Sequence, residues 1–172
     1  MVSEPTIRFA QLQDVPTVLS FIETGAAEQS PGARVEATEA ALVKTLHLNQ
    51  TSSGSETDSA PRFAWALLIA TPNGTTAGLA IYFYNYSTWR AAPGVCLEEL
   101  FVLPEYRSKG YGKLLIEAVA KEAARAGLKA FSASDLLTPE VRGDIVRAGD
   151  EDEATTGYTY LFLSQLNGPE VF

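Results

Sequence analysis

A chain of 172 residues with a net charge of −8 is most simply one domain, able to bury roughly two thirds of the surface its unfolded form exposes. Its single cysteine and single histidine exclude an intramolecular disulfide and any cysteine-cluster or histidine-rich metal centre. The acidic balance argues against nucleic acid as a partner and suits a cationic substrate, while the lack of a ~20-residue apolar run and of a basic-then-apolar leader in MVSEPTIRF predicts a cytoplasmic protein with no membrane segment.

Thr6 to Ala10 alternates as a first strand. Asp14 then stands as the cap of a helix whose Val15, Val18, Leu19 and Ile22 recur at helical spacing and which is expected to end near Gly25. Residues 28–35 are turn-rich, and Thr38 to Leu48 carries Ala41, Leu42, Thr45 and Leu46 on one face of a second helix. His47 falls in that helix and reads as a surface or helix-end residue in preference to a catalytic base. Asn49 to Pro61 has no core-forming residues and is expected as a loop. Two strands follow, Phe63 to Ala70 and Ala77 to Tyr86, joined at Pro72-Asn73-Gly74, whose Asn-Gly pair signals a hairpin. Tyr82, Phe83, Tyr84 and Tyr86 are expected mainly in the core. Trp89, past the strand and before Pro93-Gly94, is a candidate for a substrate pocket.

Residues 96–127 carry the most information. CLEELFV reads as a strand, LPEYRSKGYG as a turn and KLLIEAVAKEAARAG as a helix, with Leu114, Leu115, Ala118 and Val119 inward and Lys121 and Arg125 on its solvated side. Cys96 is a small buried strand residue in this reading. A glycine-bearing turn before a helix gathers unpaired backbone N–H groups and the positive helix end around an anion, and Gly110 and Gly112 let the main chain approach it closely. The dinucleotide pattern G-x-G-x-x-G fails at Leu115, and the nucleotide P-loop fails because Lys113 is followed by Leu114. R-x-x-G-x-G remains, opened by Arg107. Strand alternation places Glu98 and Glu99 on opposite faces, so at least one should meet a wet cavity unless a nearby Arg or Lys pairs with it. Beyond Gly127, LKAFSAS suggests a strand, Thr138-Pro139 a brief helix ending near Gly149, GDEDEATTG a solvated acidic loop, and Tyr158 to Leu166 a last strand.

The strand, R-x-x-G-x-G turn and helix together resemble the acyl-CoA-binding motif of the GNAT N-acetyltransferases. GLAIYFYNYSTW, LEELFVLPEYRSKGYGKLL and the opening TIRFAQLQDVPTVLSFI are similar to the diamine branch of that family, the spermidine/spermine and thialysine acetyltransferases, over roughly residues 6–127. The resemblance implies an α/β (α+β) fold with a mixed, mostly antiparallel central sheet flanked by helices. Residues 1–172 would form one acetyltransferase domain, atypical over 128–172. The implied reaction is acetyl transfer from acetyl-CoA, without a metal, to a primary amine of a small diamine or amino-acid-like substrate, with a homodimer left open. In such a site the backbone of Leu100, Phe101 and Val102 would meet the pantetheine arm and thioester. The amides of Arg107, Ser108, Lys109, Gly110, Tyr111, Gly112 and Lys113 would hold the pyrophosphate, with the Arg107 and Lys113 side chains adding charge. Glu98 would take the amine's proton through water, and Glu99, with Trp89, would bind the substrate. The branch's tyrosine-bearing run that protonates the thiolate has no counterpart after Gly127, leaving Tyr158 and Tyr160 as the tyrosines of that part. Ser87 replaces an acid of the branch, and Gln29 to Ala33 lacks its acidic cluster, so polyamine selectivity is not implied. An acyl-CoA-binding protein without transfer activity is the alternative reading.

Overall fold

The computed structural model describes residues 4–48, 61–88, 91–128, 130–134 and 158–162, the last two segments by their backbone. The first strand is β1, Thr6–Phe9, followed by helices α1, Val15–Gln29, and α2, Glu39–Thr45, and the short β2, Leu46–His47. The sheet centres on β3, Ala64–Ala70, and β4, Thr76–Ser87. The apolar run AWALLIA of β3 has no polar side because both its faces are covered. Leu67 and Ile69 point one way with Ala80 and Tyr82, and Ala66 and Leu68 point the other with Leu79 and Ile81.

β1 pairs antiparallel with β3, and β2 runs parallel to its start. β5, Ala92–Val102, is antiparallel to β4; β6, Ala130–Ser134, is parallel to β5; β7, Tyr158–Phe162, is antiparallel to β6. The order is β1-β3-β4-β5-β6-β7. α1 and α2 cover one face, and α3, Tyr111–Arg125, covers the other with Leu115, Ile116, Val119, Ala120 and Ala123 buried. This is the mixed, mostly antiparallel sheet between helices that the sequence implied. α3 ends where Gly127 adopts φ +73° and the Leu128 N–H returns to the Ala123 carbonyl at 2.9 Å. Among the described residues no helix is long and apolar enough to cross a membrane.

Several local expectations are corrected. α1 continues past Gly25 to Gln29. Gly25 is buried against β5 and marks a close approach, not a helix end. α2 stops at Thr45, because Leu46 and His47 pair with Ala64 and Trp65 instead of continuing the helix. The His47 ring stacks on Trp65 with centroids 4.2 Å apart. Asp14 heads α1, yet its carboxylate accepts from Arg8 at 2.6 Å and from the Gln11 N–H at 2.8 Å and does not cap the helix. The hairpin expected at Pro72-Asn73-Gly74 is present, closed by the Thr71 N–H on the Thr75 carbonyl, with a bulge between Ile69 and Ala70. Of the β4 aromatics Tyr82 is core, whereas Tyr84 and Tyr86 are 40% and 63% exposed. Residues 49–60, Trp89 and the helix expected from Thr138 lie outside the described residues.

Candidate active site

The site begins where β5 outruns its neighbour. β6 pairs with β5 from Val95 to Leu97, and among the described residues nothing pairs with that edge of β5 from Glu98 to Val102. The Leu103 N–H bonds the Ala77 carbonyl on β4, so Phe101, two residues back, also turns its polar groups to β4. Leu100 and Val102 therefore present theirs to the open edge. Of the three residues expected to meet pantetheine, Leu100 and Val102 face this edge, where the Val102 carbonyl accepts from Arg107 Nε, and Phe101 is engaged with Leu79.

The turn after β5 ends the same edge. Pro104–Tyr106 forms a short 3-10 turn, Ser108 takes φ +61°, and Gly110 takes φ +80° before α3 begins at Tyr111. Only a residue without a Cβ adopts the Gly110 conformation at low cost. Among the described residues no backbone acceptor takes the N–H groups of Ser108, Lys109, Gly110, Tyr111, Gly112 or Lys113, and no side chain caps α3. These open amides at a helix N-terminus fit the pyrophosphate of acetyl-CoA. A Cβ at Gly112 would meet only Leu100 Cδ2, at 3.8 Å, so that glycine leaves room for a ligand and not for the fold. Lys113 stands near Glu117, with 3.9 Å between charged atoms, and the Lys109 ammonium lies 4.9 Å from the Tyr106 ring centroid.

The Arg107 side chain makes contacts within the fold. Its Nε donates to the Val102 carbonyl at 2.8 Å, its guanidinium meets Glu28 at the end of α1 at 2.6 Å, and it lies over the Phe101 ring. Glu28 entered no sequence expectation, because nothing local marks a pairing across 79 positions.

Of the two acids, Glu99 lies on the α1 face. Ile81 pairs with Glu99 and Tyr82 with Leu97, so Glu98 is the extra residue of a bulge. Leu97 and Leu100 pack on the α3 side, whereas Glu99, against Gly25 of α1, lies on the other. The bulge interrupts the strict alternation expected from sequence and leaves Glu98 close enough for its charge to act on Glu99. Burial raises the Glu98 carboxyl above its ordinary range. Burial, and secondarily the charge of Glu98, raises Glu99 to about 7. Glu99 Oε1 is buried without a hydrogen-bond partner among the described residues. His47, stacked on Trp65 of the α3 side, is across the sheet from these acids. Among the described residues no cluster of His, Cys, Asp or Glu is arranged to hold a metal.

The chain is similar to known proteins in sequence and in fold. The sequence profile of the Acetyltransferase (GNAT) family covers residues 38–139. L-ornithine N5-acetyltransferase NATA1 of Arabidopsis thaliana is 44% identical over 52 residues, 30% of this chain and 23% of that protein. Thialysine N-epsilon-acetyltransferase of Mus musculus is 39% identical over 54 residues, 31% of each. The chain thus matches less than a third of the length of either relative. The fold is shared with a ribosomal-protein-alanine N-acetyltransferase from Brucella melitensis, at 17% identity and TM-score 0.59 over 88% of this chain and 96% of that one. It is shared also with an aminoglycoside acetyltransferase from an uncultured soil metagenomic sample, at 16% identity and TM-score 0.63 over 90% and 95%. A profile spanning more than half of the chain, on a fold with these neighbours, makes this protein a member of the acetyltransferase (GNAT) family.

Proposed function

We propose that this protein transfers the acetyl group of acetyl-CoA to the primary amine of a small diamine or amino-acid-like substrate. The observation that carries this reading is the pair of partly buried acids at the bulge, Glu98 and Glu99, directly before Leu100 and Val102 on the edge of β5 that β6 leaves unpaired. Acetyl-CoA, when bound, supplies the acyl group as a thioester. The amides from Ser108 to Lys113 hold the pyrophosphate and the edge of β5 orients the arm, which brings the acyl carbon alongside the acid pair. The two carboxylates attract an ammonium and remove its proton, since only the neutral amine is a nucleophile. The matched relatives are named for acetylating L-ornithine at N5 and thialysine at N-epsilon, which supports an amino acid with a second amine as substrate.

Thiol release from acetyl-CoA, followed over a panel of diamines, diamino acids and basic peptides, tests the proposal. Amine-dependent release with a small diamine or diamino acid is expected. Tight acetyl-CoA binding without release by any amine would instead support an acyl-CoA-binding protein.

A further inference from the structure

Gly25 lies inside α1, where glycine is the poorest helix former after proline, yet the helix runs on to Gln29. A Cβ at Gly25 would stand 3.2 Å from Glu99 Oε1 and 3.3 Å from Phe101 Cδ2. The missing side chain is therefore a notch in α1, and the Glu99 carboxyl occupies it. That carboxyl has one buried oxygen with no donor to satisfy it among the described residues. Glu98, the extra residue of the bulge, is less deeply enclosed.

We infer that Glu99, lodged in the notch left by Gly25, accepts the proton of the substrate amine, while Glu98 stays charged and binds the ammonium. This reverses the division of labour that the family resemblance implies, and it rests on the acetyl-transfer reading. A buried carboxylate without a donor gains more from a proton than a solvated one, and a base works best when its proton affinity lies near the working pH. The raised affinity of Glu99, to about 7, meets that condition. The charged group acting on it among the described residues is Glu98 on its own strand, while the Glu28–Arg107 pair at the end of α1 lies beyond the neighbouring Phe101 ring. α1 otherwise offers Phe21 and Gly25 here, and β4 offers Ile81.

The step balances as follows. The ammonium gives one proton to Glu99, the nitrogen lone pair so freed forms the C–N bond, and the C–S bond breaks. The departing thiolate takes the second proton that nitrogen loses in becoming an amide, and Glu99 returns its own to water. Ammonium and thioester thus yield amide, thiol and one proton.

Two measurements test the assignment: the pH profile of kcat/KM in the thiol-release assay, and titration of the Glu99 carboxyl by 13C NMR in the protein without ligand. In the wild type both should show a group near pH 7. Glu99→Gln should remove the acidic limb and lower kcat/KM by about 100-fold. Glu98→Gln should raise KM for the amine and keep the limb, moved to lower pH because a like charge is gone. Gly25→Ala should push the carboxyl out of the notch, lowering its titration and moving the limb with it. An active wild type whose limb survives Glu99→Gln but vanishes in Glu98→Gln overturns the inference and leaves acetyl transfer intact. A Glu99 that titrates in the ordinary glutamate range also overturns it. A wild type with no thiol release for any amine overturns the acetyl-transfer reading and this inference with it.

Discussion

Arg107 reaches Glu28 at 2.6 Å, tying the last turn of α1 to the loop that opens the anion site. The same guanidinium holds the Val102 carbonyl at 2.8 Å, so it closes the end of β5 as well. A side chain held at both points is placed to shape the loop.

Arg107→Ala should accordingly act on stability more than on cofactor binding. Losing one hydrogen bond and a half-exposed ion pair should cost about 1 kcal/mol, read as a lower denaturation midpoint. Acetyl-CoA affinity, measured by calorimetric titration, should change by less than about threefold. A loss of about tenfold or more in a folded variant would return the guanidinium to the pyrophosphate.

Gly112→Ala should do the opposite. Its Cβ meets nothing closer than Leu100 Cδ2 at 3.8 Å, so the fold should be unchanged. The same Cβ obstructs close approach of a pyrophosphate to the amides, and acetyl-CoA should bind about tenfold more weakly, about 1.4 kcal/mol. Unchanged affinity in calorimetric titration would take this turn out of the site.

These two residues also show what was legible in the sequence. Gly110 and Gly112 stood out because turn glycines, an apolar strand before them and a helix-periodic run after them agree within a few residues. Most of the strands and helices followed from the same local periodicities, the sheet between helices from the family resemblance, and the strand order from the structure alone. Gly25 was misread because a helix stop and a packing notch are written with the same letter, and only the β5 side chains opposite distinguish them. The bulge was hidden because an extra strand residue leaves no mark in an apolar run containing Glu-Glu; it shows only when Leu97 and Leu100 are found on one side. His47 joined a helix on paper because its strand partner, Trp65, lies far along the chain. The Arg107–Glu28 pair escaped for the same reason.

Asp14 predicts an acid-sensitive N-terminal corner. Its carboxyl is held below the ordinary range mainly by the hydrogen bond from Arg8, helped by the Gln11 N–H. A group with a depressed folded pKa adds stability above its unfolded pKa and loses it as pH falls through the folded one. Asp14→Asn should therefore lower the thermal midpoint at pH 7, by the equivalent of about 1 kcal/mol. The gap to wild type should close under strongly acidic conditions. Equal midpoints at pH 7 would show that the Arg8 contact contributes nothing to stability.

Glu99 predicts the reverse sign. Its carboxyl is raised from 4.5 to about 7, by burial first and by Glu98 second, so between those pH values the folded protein binds the proton more tightly than the unfolded chain does. Stability linked to this group is then fully present below the lower value and is lost as pH rises through the upper one. Glu99→Gln keeps the shape of the side chain and removes the charge. Its thermal midpoint should exceed that of wild type at pH 8, and the difference should shrink steadily as the pH is lowered to 5. Scanning calorimetry without acetyl-CoA, where no ligand linkage intervenes, gives the comparison directly. A wild-type midpoint that matches the variant at pH 8 would mean that Glu99 bears its charge at no cost, and the notch beside Gly25 would then be wet.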